Sequence, residues 1–99
     1  MTFTWLNKQG VRSSDGFELQ RTERFKAEYR EHGRTTEMHV EGNGHSITIY
    51  EGDLRGLWER ESDLSAQEQE RHRIIENVRS ALAFQGLALD LAAGDAPRY

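Results

Sequence analysis

Residues 35–50 read TTEMHVEGNGHSITIY, and they carry the clearest structural signal in the chain. Apolar and polar side chains alternate on both sides of Asn43-Gly44, which is typical of strands with one buried face. Asn-Gly is also a strong signal for a two-residue hairpin turn, because a type I′ turn needs positive φ at both central positions. The stretch therefore predicts a β-hairpin that pairs Val40 with Ile47 and Met38 with Ile49.

The preceding residues extend this hairpin into a meander over residues 17–51. A turn at His32-Gly33 separates it from residues 24–30, where apolar residues alternate again. Two turns chosen independently agree on one apolar face, which sets the register. The predicted pairs are Phe25 with Val40, Ala27 with Met38, and Tyr29 with Thr36. Phe17 and Leu19 predict one more strand, whereas residues 1–16 give a strand and a turn of uncertain register.

A long helix is predicted over residues 65–85. Ser65 and Glu68 have the spacing of a capping box, and Gly86 is typical of a helix end. One apolar stripe at helical spacing runs along the helix, formed by Ile74, Ile75, Val78, Ala81 and Leu82. The first two turns carry Gln67, Glu70 and Arg71 on that face, so they project into water or cover something else.

Leucines alternate once more at residues 87–92, which predicts a short strand, and we expect a frayed tail at residues 94–99. The predicted fold class is α+β. Its architecture is an antiparallel β-meander sheet with one long C-terminal helix packed on its apolar face, followed by the short strand.

Length and composition narrow the class of protein. The 99 residues suffice for a single domain over 1–99, and 35% hydrophobic with 30% charged residues is a globular composition. A net charge of -4 disfavours direct nucleic-acid binding, which relies on Lys and Arg, and suits a basic partner. The sequence has no Cys, no run long enough to span a membrane and no recognisable signal peptide, so we expect a cytoplasmic location.

The histidines do not predict a chemical site. His39 and His45 lie near the hairpin turn, with His39 expected opposite Thr48 on the polar side of the sheet, and two imidazoles do not complete a zinc site. His72 lies between two glutamates on the outer face of the helix, a common arrangement of solvated pairs. We therefore predict no catalytic residue, no metal ligand and no cofactor.

Negative charge is concentrated between the sheet and the helix, where we expect an acidic loop at residues 52–64. Residues 51–70 hold seven carboxylates and two arginines, so their charge of -5 exceeds that of the whole chain. An acidic loop beside an aromatic ring is typical of a protein that docks onto a basic cleft. A second interpretation makes the tryptophan a lid over the core. The predicted partner-binding residues are Asp53, Trp58, Glu59, Glu61, Asp63 and Glu70.

The sequence resembles one group of small bacterial immunity proteins, the antitoxins of polymorphic-toxin and contact-dependent growth-inhibition systems. The residues that carry the resemblance are the run SITIY at 46–50, Leu54, Trp58, Leu64-Ser65, and RIIENVRSALAF at 73–84. The resemblance spans about residues 24–91 and departs at residues 59–63, where the group has a Pro-containing pattern. It implies a protein that binds and neutralises one cognate toxin domain, often a nuclease, which must be basic where it grips phosphate.

Two other classes of function stay open. One is a different non-enzymatic interaction module, such as a secretion chaperone or a homodimeric accessory subunit. The other is an enzyme that uses His and carboxylate residues on the polar face of the sheet, which a closed pocket around His39 or His45 would favour.

Overall fold

The computed structural model describes residues 1–97 and has the predicted α+β architecture. Seven strands form one sheet in the order of the chain, and one long helix packs against it. The strands are β1 (Phe3–Asn7), β2 (Gly10–Ser13), β3 (Phe17–Glu23), β4 (Lys26–Glu31), β5 (Arg34–Gly42), β6 (Ser46–Tyr50) and β7 (Ala88–Ala92). The helices are the short α1 (Glu51–Leu54), which continues into a 3-10 turn at Arg55–Leu57, and the long α2 (Leu64–Phe84).

The sheet is mixed rather than fully antiparallel. Strands β1 to β6 pair antiparallel with their neighbours, as the meander predicts, but β7 runs parallel to β6. The reason is the connection, because a helix that crosses over between two neighbouring strands returns the chain in the same direction. The predicted antiparallel meander is thus confirmed for β1 to β6, and the direction of the short strand after the helix, which the sequence left open, is parallel.

The register is confirmed between β4 and β5, where Ala27 pairs with Met38 and Tyr29 with Thr36. The N–H of Val40 also donates to the carbonyl of its predicted partner Phe25 at 2.9 Å, but Phe25 lies in the tight turn before β4 and its side chain is exposed. Its predicted place in the buried row is wrong.

The predicted register between β5 and β6 is wrong by two positions. Val40 pairs with Ile49, and Gly42 pairs with Ile47. The cause is the side chain of Asn43, whose Oδ1 accepts the backbone N–H groups of His45 and Ser46 at 3.0 and 2.8 Å. These bonds enlarge the turn beyond two residues. A shift of two keeps every side chain on its face, so both isoleucines are still buried.

The shift also changes the partners on the polar side of the sheet. His39 of β5 pairs with Lys26 of β4, and Thr48 of β6 pairs with Glu41 of β5. The predicted pair of His39 with Thr48 is therefore wrong.

Helix α2 is capped by Asp63 rather than by Ser65. The Asp63 carboxylate accepts the backbone N–H of Ala66 at 2.8 Å, so the helix begins one residue earlier than predicted. The other end matches the prediction, because Gly86 has φ of +81° and the N–H of Leu87 donates to the carbonyl of Leu82 at 2.9 Å.

The core lies between the sheet and the apolar stripe of α2. Every apolar residue that the stripe predicts is buried, and the sheet contributes the alternating residues of β2 to β6. The tail is docked where it is described, since the carbonyl of Gly94 accepts the N–H of Gly52 at 2.8 Å. The fraying of the tail stays a prediction, and the last two positions of the predicted tail lie outside the described residues.

Candidate partner-binding surface

The acidic segment between β6 and α2 is folded rather than an open loop. It consists of α1, the 3-10 turn and a tight turn in which the N–H of Glu61 donates to the carbonyl of Trp58 at 3.1 Å. The Trp58 side chain is 5% exposed and belongs to the core together with Leu54. The ring therefore anchors the segment from inside, and it does not present a surface to a partner in this structure.

Asp53 has a structural role at the point where β6 ends. Its carboxylate accepts the backbone N–H of His39 at 2.9 Å. The bond lies just after the last paired residues of β5 and β6, Val40 and Ile49, so it links α1 to β5 where the strand ladder stops. Because an unpaired buried N–H is costly, this bond fixes α1 to the sheet.

Glu70 is held by α2 itself and by the sheet. Arg73, one turn later, donates to Glu70 from Nε at 2.6 Å and also binds Glu31 of β4 at 2.6 and 2.8 Å. Arg73 lowers the pKa of the Glu70 carboxyl through this hydrogen bond. Burial would raise the pKa of Glu31, but the hydrogen bonds and the charge of Arg73 together lower it. Glu70 is therefore committed to an internal ion pair.

A buried hydrogen bond extends the group formed by Glu31, Glu70 and Arg73 into the core. Asn77 of α2 donates from Nδ2 to the Tyr29 hydroxyl at 3.0 Å. Burial raises the pKa of Tyr29, so the phenol stays neutral. This group of polar side chains could not be predicted from the sequence, because Glu31 and Arg73 are 42 positions apart and no local pattern links them.

A second arginine of α2 neutralises part of the acidic segment. Arg71 donates to Glu51 at 2.5 Å and lies 3.4 Å from Glu68. Its hydrogen bond lowers the pKa of Glu51. Extending the segment to residues 51–73 sets four arginines against seven carboxylates, so its charge is -3 rather than -5.

The remaining carboxylates of the segment precede an exposed leucine in the chain. Leu64, the first residue of α2, is 82% exposed, and Glu59, Glu61 and Asp63 lie within the five residues before it. Glu59 makes an exposed contact of 3.6 Å with Arg55, and the Glu61 carboxylate forms no ion pair with residues 1–97. We call these four residues, Glu59, Glu61, Asp63 and Leu64, the acidic surface.

The sequence did not single out Leu64 as a surface residue, although its spacing places it on the apolar face of the helix. It lies 11 and 18 positions before Ile75 and Leu82, which is the spacing of one helix face. The buried residues of α2 begin only at Ile74, so the first turns of the helix extend beyond the core. An apolar residue on the buried face of an overhanging helix is therefore left in solvent.

A groove of about 620 Å³ lies on the polar side of the sheet beside His39. Phe25 stacks on the His39 ring at 6.2 Å between centroids, and the His39 Nε2 lies 3.1 Å from a Glu41 oxygen. Arg24, Phe25 and Lys26 on the rim are exposed. A closed pocket is the feature that would favour an enzyme, whereas the structure has an open groove here.

Comparisons with known proteins place no further constraint on the site. No protein-family model, no curated protein and no solved structure matches this chain. Within residues 1–97, no three His, Asp or Glu side chains are grouped so that they could hold a metal ion. None of the helices described is both long and apolar enough to cross a membrane.

Proposed function

We propose that this chain is an immunity protein that binds and neutralises a cognate toxin domain, which we expect to be a nuclease, in the cytoplasm. The observation that carries the proposal is the acidic surface. Three carboxylates within five residues of an exposed leucine in the chain combine charge that attracts a basic protein with an apolar side chain that such a contact would bury. The resemblance of residues 24–91 to immunity proteins supports the same function, and it includes Leu64 but departs from the group at residues 59–63, where the three carboxylates lie.

The mechanism in this proposal is competition with nucleic acid. A nuclease is basic where it holds phosphates, so the carboxylates of Glu59, Glu61 and Asp63 would occupy the phosphate positions while Leu64 packs against apolar surface beside them. Opposite charges also speed the encounter of two proteins, by about 10-fold or more at low salt.

The decisive experiment is co-expression with the neighbouring open reading frame in bacteria. We expect that frame to stop growth when expressed alone, that this chain restores growth, and that the two proteins purify as a stable complex. A neighbouring product that is harmless, or that stays toxic and unbound, would overturn the proposal.

The surface itself is tested by charge reversal. Glu59→Lys with Glu61→Lys should slow association with the toxin, and the loss should shrink as salt rises, because exposed charges are screened over about 8–10 Å near physiological ionic strength. Glu23→Lys with Glu37→Lys is the matched control, since it makes the same change of charge at two exposed positions on the sheet. Equal association rates for both variants would exclude this surface while leaving the immunity function standing.

A further inference from the structure

The first two turns of α2 extend beyond the core, and one of their side chains binds the segment that carries the acidic surface. Gln67 is half-buried, and it donates from Nε2 to the carbonyl of Glu61 at 2.9 Å. Its backbone N–H donates to the carbonyl of Asp63 at 3.0 Å. A single residue of the helix therefore binds the backbone of the acidic surface at two points.

The stretch of chain that Gln67 binds has little other support. Residues 59–63 lie outside the helices and strands, between the buried ring of Trp58 and the first residue of α2. In the part of the chain that the structure describes, Gln67 is the only residue whose side chain hydrogen-bonds the backbone of residues 59–62. Trp58 fixes where the stretch begins and the Asp63 cap fixes where it ends. The middle of the stretch thus relies on its own backbone turn and on Gln67.

The hydrogen bond of Gln67 orders this stretch without neutralising it. The amide is uncharged and binds a carbonyl, so the carboxylate of Glu61 keeps its charge. A partner that binds a mobile segment must order it, and this ordering weakens the complex. A segment that is already held in one conformation avoids the loss, and the gain appears mainly as slower dissociation.

We propose that Gln67 is a positioning residue for partner binding, which holds residues 59–63 in the conformation in which the acidic surface meets the toxin domain. It acts through the carbonyl of Glu61 and not through a contact of its own with the partner. The inference rests on the proposed function, because the toxin domain is the partner of that proposal.

The first measurement is amide hydrogen exchange in the isolated chain. Gln67→Met keeps a long, helix-favouring side chain and removes the donor. The N–H of Glu61, which donates to the carbonyl of Trp58, should exchange about 2- to 10-fold faster in this variant, because the turn loses one hydrogen bond. The N–H of Val78, in the buried part of α2, should keep its exchange rate and so show that the fold is intact.

The second measurement is the kinetics of the complex with the toxin domain that co-expression identifies. Gln67→Met should raise the dissociation rate by about 2- to 10-fold. The association rate and its salt dependence should stay the same, because every charge is kept. Charge reversal at Glu59 and Glu61 should instead slow association, so positioning and attraction are told apart.

Gln85→Met is the matched control. It makes the same substitution at a half-buried position just after the other end of α2. In the part of the chain that the structure describes, the Gln85 side chain forms no hydrogen bond, so this variant should change neither the exchange of the Glu61 N–H nor the dissociation rate.

Two results would overturn the inference. One is an unchanged exchange rate of the Glu61 N–H in Gln67→Met, since the turn would then not depend on this side chain. The other is faster exchange together with a dissociation rate equal to that of the Gln85→Met control. If the unsubstituted chain fails to restore growth, the proposed function fails and the role in partner binding fails with it, whereas the exchange measurement alone decides whether Gln67 holds the turn.

Discussion

Arg73 and Glu31 join the long helix to the middle of the sheet by two parallel hydrogen bonds. The Glu31 side chain is 8% exposed, so its negative charge depends on Arg73 for compensation. The arginine also binds Glu70, which keeps its guanidinium in place. This group determines how the polar half of α2 lies on the sheet, where the apolar stripe is absent.

Replacing Arg73 should therefore destabilise the folded protein. We expect Arg73→Met to lower the free energy of unfolding by about 2–3 kcal/mol, less than the 3–5 kcal/mol typical of a fully buried pair, because the arginine is partly exposed. Urea unfolding measures the effect. Glu31→Gln added to Arg73→Met should recover part of the loss, since it removes the unpaired charge. Strictly additive losses would show that the two side chains do not depend on each other.

The same carboxylates should make the fold sensitive to acid. Glu31, Glu51 and Glu70 have folded pKa values below their ordinary value of 4.5. The unfolded chain thus binds protons first as pH falls, so this stability is complete above about pH 4.5 and is lost through the lowered folded pKa values. Thermal midpoints between pH 7 and pH 3 test this, and Glu31→Gln should flatten the dependence. An identical acid dependence in that variant would remove Glu31 from the explanation.

Shortening a side chain in the apolar stripe of α2 should lower the stability of the protein, as it does for core residues. Ile74 is 2% exposed, so Ile74→Ala should lower the free energy of unfolding by about 2–5 kcal/mol. Gln69→Ala on the same helix is exposed and should change stability by no more than about 0.5 kcal/mol. Chemical denaturation of both variants measures the difference, and a near-neutral Ile74→Ala would mean that the helix does not pack on the sheet in this way.

Asp63 combines two roles that a pair of substitutions separates. Asp63→Ala removes the cap of α2 and should cost about 1 kcal/mol of stability, whereas Asp63→Asn keeps a side-chain oxygen for the N–H of Ala66 and should cost less. Both remove the charge, so both should slow toxin association equally. If Asp63→Asn destabilises as much as Asp63→Ala, the cap is not what holds the helix start.

The sequence was informative wherever the determinant is local. Alternation placed the strands and the buried face, and the spacing of the stripe placed the helix. Errors arose where a single polar side chain decided between close alternatives. Asn43 bonds two N–H groups and shifts a register by two, and Asp63 rather than Ser65 takes the first free N–H of the helix.

The candidate site was harder to predict because its determinants are distant in the sequence. Whether a glutamate is free or paired depends on arginines that the fold brings to it, as Arg73 is brought to Glu31. Trp58 and Leu64 show the same limit for apolar residues. The sequence left the ring either a partner anchor or a lid over the core, and it placed the leucine in the acidic loop, whereas the ring is buried and the leucine is an exposed residue of α2. Burial at these positions depends on where the core ends.

The parallel pairing of β6 with β7 also ties folding to the progress of translation. Ile47 lies beside Leu89, so the ribosome completes β6 42 residues before its partner exists. Until β7 has been made, one edge of β6 has no partner strand, and α2 has nothing to connect it to. The nascent chain thus passes through a stage in which an apolar strand edge is exposed, the condition in which chaperones protect emerging polypeptides. The sheet of this protein is therefore complete only when its seventh strand has been made.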